Sequence, residues 1–154
     1  MLGTDFGVYL CDRKPKDASI KPKRVLDCKS VTHIDVLEQH QILLVLSEKT
    51  VYSYPMEALD PEESQAAVVK RGRKICHANF FNVGVCMGQH LVCCGKTSAL
   101  STTIKVYEPM DSMTKRSKKS GLAKMLAGGQ DVLKPYKVRH LSPPTRVNMQ
   151  TKHR

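Results

Sequence analysis

The 154-residue sequence has no tryptophan, only 5% aromatic residues and no uninterrupted apolar run of the length that crosses a bilayer as a helix. A membrane-spanning helix is therefore not expected. The first nine residues carry Asp5 and have neither a basic start nor an apolar stretch, so no secretory signal is predicted and the cytoplasm is the expected compartment. Cysteine is present six times, at 11, 28, 76, 86, 93 and 94, but none of the spacings is the paired CxxC or HxxxH kind through which zinc is held. Reduced thiols follow from a cytoplasmic setting, and Cys93 and Cys94, being adjacent, belong on opposite faces of a strand. No cofactor is predicted.

Acidic residues are scarce in one part of the chain only. Residues 1–111 hold 14 basic and 13 acidic residues, whereas residues 112–154 hold 11 basic and 1 acidic. Nearly all of the net charge of +11 is thus C-terminal. A basic tail of low apolar content attracts anionic surfaces without specificity, and specific nucleic-acid recognition is not expected from it.

What is abundant is strand patterning, and it recurs. The continuous apolar run Ile42-Leu43-Leu44-Val45-Leu46 has the character of a strand buried on both faces. Ser47-Glu48-Lys49-Thr50 supplies turn chemistry, and Val51-Tyr52-Ser53-Tyr54 is rich in β-branched and aromatic residues before Pro55 closes it. The same pair returns as His90-Leu91-Val92-Cys93-Cys94, a connection over 95–101, and a partner strand over 103–110 that again ends in Pro-Met. Gly7-Val8-Tyr9-Leu10, entered by residues 3–6, is a third copy of the second strand.

The three Val-Tyr pairs begin at 8, 51 and 106. These intervals suit the roughly 40 to 45 residues of a four-stranded propeller blade with loop insertions. Residues 30–37 and 75–81 supply a leading strand to each hairpin, with turns at 39–41 and 87–89. Residues 60–74 read as a basic loop between blades and 112–130 as a basic insertion. Residues 122–127 have the pattern of a short amphipathic helix stopped by Gly128-Gly129. From 138 to 154 no strand is expected and the tail reads as disordered.

Several of these stretches are similar to a known family. Gly3-Thr4-Asp5-Phe6-Gly7-Val8-Tyr9, the segment from Val36-Leu37-Glu38-Gln39 into Leu44 through Tyr52, Lys70-Arg71-Gly72-Arg73-Lys74-Ile75 leading to His77-Ala78-Asn79-Phe80-Phe81, and the run from Lys96 to Glu108 resemble the citron-homology (CNH) domain. The version resembled stands at the C-terminus of fungal Rho-type guanine nucleotide exchange factors, and the likeness covers about 2–137. The resemblance implies an all-β fold, a partial β-propeller of two to three blades over 2–137, with a disordered basic tail over 138–154. It also implies a regulatory module of small-GTPase signalling whose partner is a Rho-family GTPase or another signalling protein. Exchange chemistry in that family belongs to a separate helical domain with no counterpart here, so no enzymatic activity is expected.

Three sets of residues are candidates for chemistry. Gly95-Lys96-Thr97-Ser98 resembles the end of a phosphate-binding loop, but His90 stands where that motif requires glycine, and nucleotide binding is not expected. His33, His40, His77 and His90, with Asp35 and the cysteines, have the residue types of a thiol–imidazole site, although scattered polar residues on strands and turns account for them equally. The basic residues Lys70, Arg71, Arg73 and Lys74, with Lys115, Arg116, Lys118 and Lys119, are the candidate anion or partner site. That is the basis of a second reading, a lipid- or nucleic-acid-binding protein acting through the 70–74 loop and the tail, peripheral at the plasma membrane.

Overall fold

The computed structural model describes residues 1–11, 22–60, 62, 64–110 and 133–141. Over them the chain forms three antiparallel sheets whose strands follow one another in chain order. The first contains β1 (Leu2–Thr4), β2 (Gly7–Cys11) and β3 (Pro22–Leu26). β4 (Val31–Leu37), β5 (Ile42–Ser47), β6 (Thr50–Pro55) and β7 (Arg73–His77) make the second. The third has β8 (Phe80–Cys86), β9 (Gln89–Thr97), β10 (Thr102–Pro109) and β11 (Leu133–Leu141). These are the blades of a partial propeller: two of four strands, preceded by one of three.

β5 shows why the blades stack. All six of its residues are buried, because successive side chains of a strand point to opposite faces and both faces are covered. Leu43 and Val45 enter a cluster with Val8, Val25, Leu26, Tyr54, Leu59 and Val68 at the first seam. Ile42, Leu44 and Leu46 enter another with Phe81, Val92, Cys94, Tyr107 and Leu133 at the second. One apolar strand thus cements both seams, and neither cluster could exist within a single isolated blade.

Two tight turns set the registers. Glu48 and Lys49 have φ of 47° and 59° between the paired Ser47 and Thr50, and Met87 and Gly88 have φ of 51° and 80° between the paired Cys86 and Gln89. Both central residues being left-handed is the condition for a two-residue hairpin turn whose twist matches its strands.

The repeated Val-Tyr pair has a structural meaning. The register between the third and fourth strands steps by one residue between Val51 and Tyr52 and again between Val106 and Tyr107; the same step falls between Val8 and Tyr9 in the first blade. The extra residue on the partner strand is Val25, Ile75 or Tyr136. Each pair therefore marks a β-bulge, which increases the local twist of a blade toward its outer edge.

Four expectations change. Residues 60–74 are not a loop between blades: they connect β6 to β7 inside the second blade and include helix α1 (Gln65–Arg71). The Ser64 hydroxyl accepts the Ala67 N–H at 3.4 Å as its cap, and Val68 is driven into the first seam. The segment 75–81 is not one leading strand, since Ile75, Cys76 and His77 end the second blade while Phe80 opens the third. Strand β9 continues through Gly95, Lys96 and Thr97 into what reads as a connection. Residues 138–141, expected without structure, extend β11, where Val138, Arg139, His140 and Leu141 pair with Lys105, Ile104, Thr103 and Thr102. The insertion 112–130, the helix expected over 122–127 and the tail from 142 onward lie outside the described residues.

Candidate basic groove at the seam between two blades

The second seam opens at one end into a groove of about 440 Å³ between β7 and the strands β9, β10 and β11. Its floor holds the buried thiols Cys76 and Cys94, and its rim carries Lys74, Lys96, Lys105, His77 and His140. A second cavity of about 280 Å³ shares His77 and Lys96 with it and adds Lys49 from the left-handed turn. Four lysines and two histidines line these two neighbouring cavities, and no acidic side chain lines either among the described residues.

Strand alternation places the third blade's contribution. Tyr107 and Cys94 point into the seam core, so Lys105 and Lys96, two residues away along the same strands, share their face and emerge at the groove. The two histidines are positioned by one device used twice. Thr50 pairs with His77 across β6 and β7, and Thr103 pairs with His140 across β10 and β11. In each case the threonine hydroxyl meets the ring Nδ1, at 3.0 Å for His77 and 3.1 Å for His140. His77 is held further by Lys74, whose ammonium donates to Nε2 at 2.8 Å. That donation leaves the ring proton on Nδ1, where it is given to the Thr50 hydroxyl.

Beneath the rim, Cys76, Cys94 and Tyr107 lie in one buried cluster and shift one another's ionisation. The Cys76 thiol is pulled down to about 6, chiefly by the hydrogen bond from Cys94 against the opposing effect of burial, and further by Tyr107 and the Lys105 charge. Cys94 is pushed up by its bond to Cys76 and by burial, and Tyr107 is pushed up by burial first and then by Cys76.

The basic residues of the 70–74 segment fall on two consecutive elements. Lys70 and Arg71 end α1, where positive charge complements the helix C-terminus, and α1 packs at the first seam against β3. Arg73 and Lys74 begin β7, and of these four only Lys74 lines the groove. Lys115, Arg116, Lys118 and Lys119 lie outside the described residues. Lys49, Lys96, Lys105 and His140 were not foreseen as a group. The repeated Thr-to-His relation across third and fourth strands was the available signal, but the fourth strands themselves were not recognised.

The candidate thiol–imidazole residues converge only in part: His77 lines the groove with Cys76 and Cys94, whereas His33, His40, His90 and Asp35 do not line it. The His33 ring packs edge-on against Phe81 with centroids 4.4 Å apart, and the His40 ring against His90 at 5.6 Å. An Asp35 carboxylate oxygen accepts the Val36 N–H at 2.8 Å. Among the described residues no three or more His, Cys, Asp or Glu are arranged to hold a metal ion, and the six cysteines are free thiols. Gly95, Lys96 and Thr97 lie along β9 rather than ahead of a helix.

Comparison with known proteins agrees with this architecture. The CNH domain family model matches residues 1–145, somewhat further than the stretches that resemble it by inspection. The sequence is 42% identical over 139 residues to the Rho1 guanine nucleotide exchange factor 1 of Schizosaccharomyces pombe, covering 89% of this chain and 10% of that protein. Against the Rho1 guanine nucleotide exchange factor 2 of the same organism it is 36% identical over 137 residues, covering 88% of this chain and 12% of that protein. The solved structure titled AfRom2 CNH domain superposes with a TM-score of 0.69 at 50% identity, over 91% of this chain and 38% of that one. The chain thus spans about a tenth of the length of these curated relatives. Stacked antiparallel blades, a bulge repeated at each Val-Tyr pair and a family match along nearly the whole length lead to one assignment: this chain belongs to the CNH domain family.

Proposed function

We propose that the chain is a non-catalytic regulatory and interaction module of Rho-family signalling, working on the cytoplasmic side of the plasma membrane. The observation that carries this reading is the extent of the likeness to two Rho1 exchange factors, which runs through both full blades and their seams rather than through an isolated motif. A stack of blades suits such work, because the apolar residues are committed to the seams while turns and strand edges stay available to a partner. This reading assigns the chain no catalytic role, and it is supported by histidine rings that are engaged with threonine, lysine or neighbouring rings. On this reading the chain holds a Rho-family GTPase without accelerating loss of its nucleotide.

The test is a titration of the 154-residue chain with a Rho1-type GTPase loaded with fluorescent GDP, read both as binding and as nucleotide release. Saturable binding with an unchanged release rate is expected. Faster release would make the chain an exchange factor in its own right, and no binding in either the GDP-loaded or the GTP-analogue-loaded state would remove the GTPase as its partner.

A further inference from the structure

We infer that the groove rimmed by Lys49, Lys74, His77, Lys96, Lys105 and His140 is a binding site for a multiply charged phosphate ester. This goes beyond the signalling role proposed above and does not depend on it, since the groove is built wholly from residues of this chain.

Charge is the first ground. Four ammonium groups border two cavities that share His77 and Lys96, and among the described residues no carboxylate lines either cavity. The sole ion pair among the described residues, Arg24 with Asp27 at 3.6 Å, lies in the first blade and its following turn. Like charges gathered in a concave site repel one another and raise the local potential, and a bound polyanion relieves that repulsion.

Donor geometry is the second. Among the described residues the rim contains lysines and imidazoles but no guanidinium, so it offers compact three-donor charges, which bind phosphate oxygens as point charges without a planar fork. The two threonine–histidine pairs fix the rings at Nδ1. An arriving phosphate competes with His77 for the Lys74 ammonium, and the Nε2 released by that exchange becomes a further site for a proton shared with the ligand.

Placement is the third. Lys49 lies on a hairpin turn, Lys74 and His77 flank the register step at Ile75, and the other three stand on the next blade. Such a ligand bridges both walls of one seam. Lys70 and Arg71, at the end of α1, take no part.

The experiment measures binding of fluorescently labelled inositol hexakisphosphate to the full chain by polarisation, with inorganic phosphate as competitor and the salt concentration varied. Saturable binding that weakens as salt rises is expected. Lys96→Glu and Lys105→Glu should each weaken it about tenfold or more, the scale of a lost charge-assisted hydrogen bond. Lys105→Gln, which cannot introduce repulsion, should weaken it in the same direction, and Lys70→Glu with Arg71→Glu should leave it unchanged. Circular dichroism of each variant establishes that the sheets are intact. Flotation with phosphatidylcholine vesicles, with and without phosphatidylinositol bisphosphate, separates the two sources of the ligand. Groove-dependent flotation identifies a lipid headgroup, and groove-dependent binding of the soluble probe alone identifies a free inositol phosphate. No binding, or binding that survives the groove changes and is lost with Lys70 and Arg71, overturns the proposal.

Discussion

Cys76 of β7 and Cys94 of β9 lie in one buried cluster across the seam between the two four-stranded blades, with Tyr107 of β10 beside them, and each perturbs the ionisation of the others. Because the three belong to different strands of two blades, their ionisation reports whether the blades are docked.

That coupling makes stability depend on pH in a definite direction. Cys76 is lowered from 9.0 to about 6, so between those values the unfolded chain binds more protons than the folded one, and this thiol's contribution grows with rising pH and is lost as pH falls through 6. Cys94 and Tyr107 are raised from 9.0 and 10.0, so their contributions are complete below 9 and fade above it. Urea midpoints of the wild-type chain should rise from pH 6 to pH 9 and fall beyond. In Cys76→Ala the rise should disappear, and a thiolate absorbance step near pH 6 should vanish with it; an identical slope in the variant would assign the dependence to other groups.

Gly7 turns the chain between β1 and β2 with φ of 141°, and a Cβ there would press on the Leu26 carbonyl oxygen. Both the backbone region and the contact oppose any side chain. Gly7→Ala should cost about 1–3 kcal/mol, measured as a lowered urea midpoint with an unchanged slope. A loss below a few tenths would mean that the first blade contributes little to the cooperative unit.

Ser53 is fully buried on β6, and its hydroxyl has no hydrogen-bond partner among the described residues. Burying an unpaired hydroxyl costs stability that an apolar residue of similar size does not. Ser53→Ala should therefore stabilise the chain by about 1 kcal/mol in equilibrium unfolding, whereas destabilisation would show that the hydroxyl is bonded in solution.

The outer face of the third blade is incompletely covered. Since Val92, Cys94 and Tyr107 fill the seam, the alternate positions Leu91, Cys93, Ile104 and Val106 point the other way, and they are only half-buried, beside a Phe80 that is 46% exposed. An apolar sheet face of this kind promotes association. The 154 residues expressed alone should self-associate with rising concentration in sedimentation experiments, and Ile104→Lys with Val106→Lys should reduce it. A monomer at all concentrations would show that this face is shielded.

How much of this was legible in the sequence depends on the range of the physics involved. Ile42 to Leu46 could be read as doubly buried because five consecutive apolar residues leave no polar face, and the Val-Tyr pairs revealed the blades because the same local strand recurs. The fourth strands escaped notice. β3 is entered by Pro22, Lys23 and Arg24, and β11 intersperses Lys134, Lys137, Arg139 and His140 among Leu133, Tyr136, Val138 and Leu141 with Pro135 near its start. Outer-edge strands are half-solvated, so their composition resembles that of loops. For the same reason α1 was read as part of a charged loop, since seven residues with one buried valine give little periodic signal.

Hydrophobic alternation and turn chemistry act between near neighbours, so the sequence by itself determined the inner strands, the hairpins and their repetition. Which basic residues come to line the same cavities was decided only by the tertiary structure. Lys70 and Lys74 are close in the chain, yet only Lys74 lines the groove, while Lys49, Lys96, Lys105 and His140 are distant in sequence and line two cavities that share His77 and Lys96. That assembly follows from the stacking of blades and the bulge at Ile75, which are long-range packing relations among apolar side chains and leave no local trace in the residues they bring together.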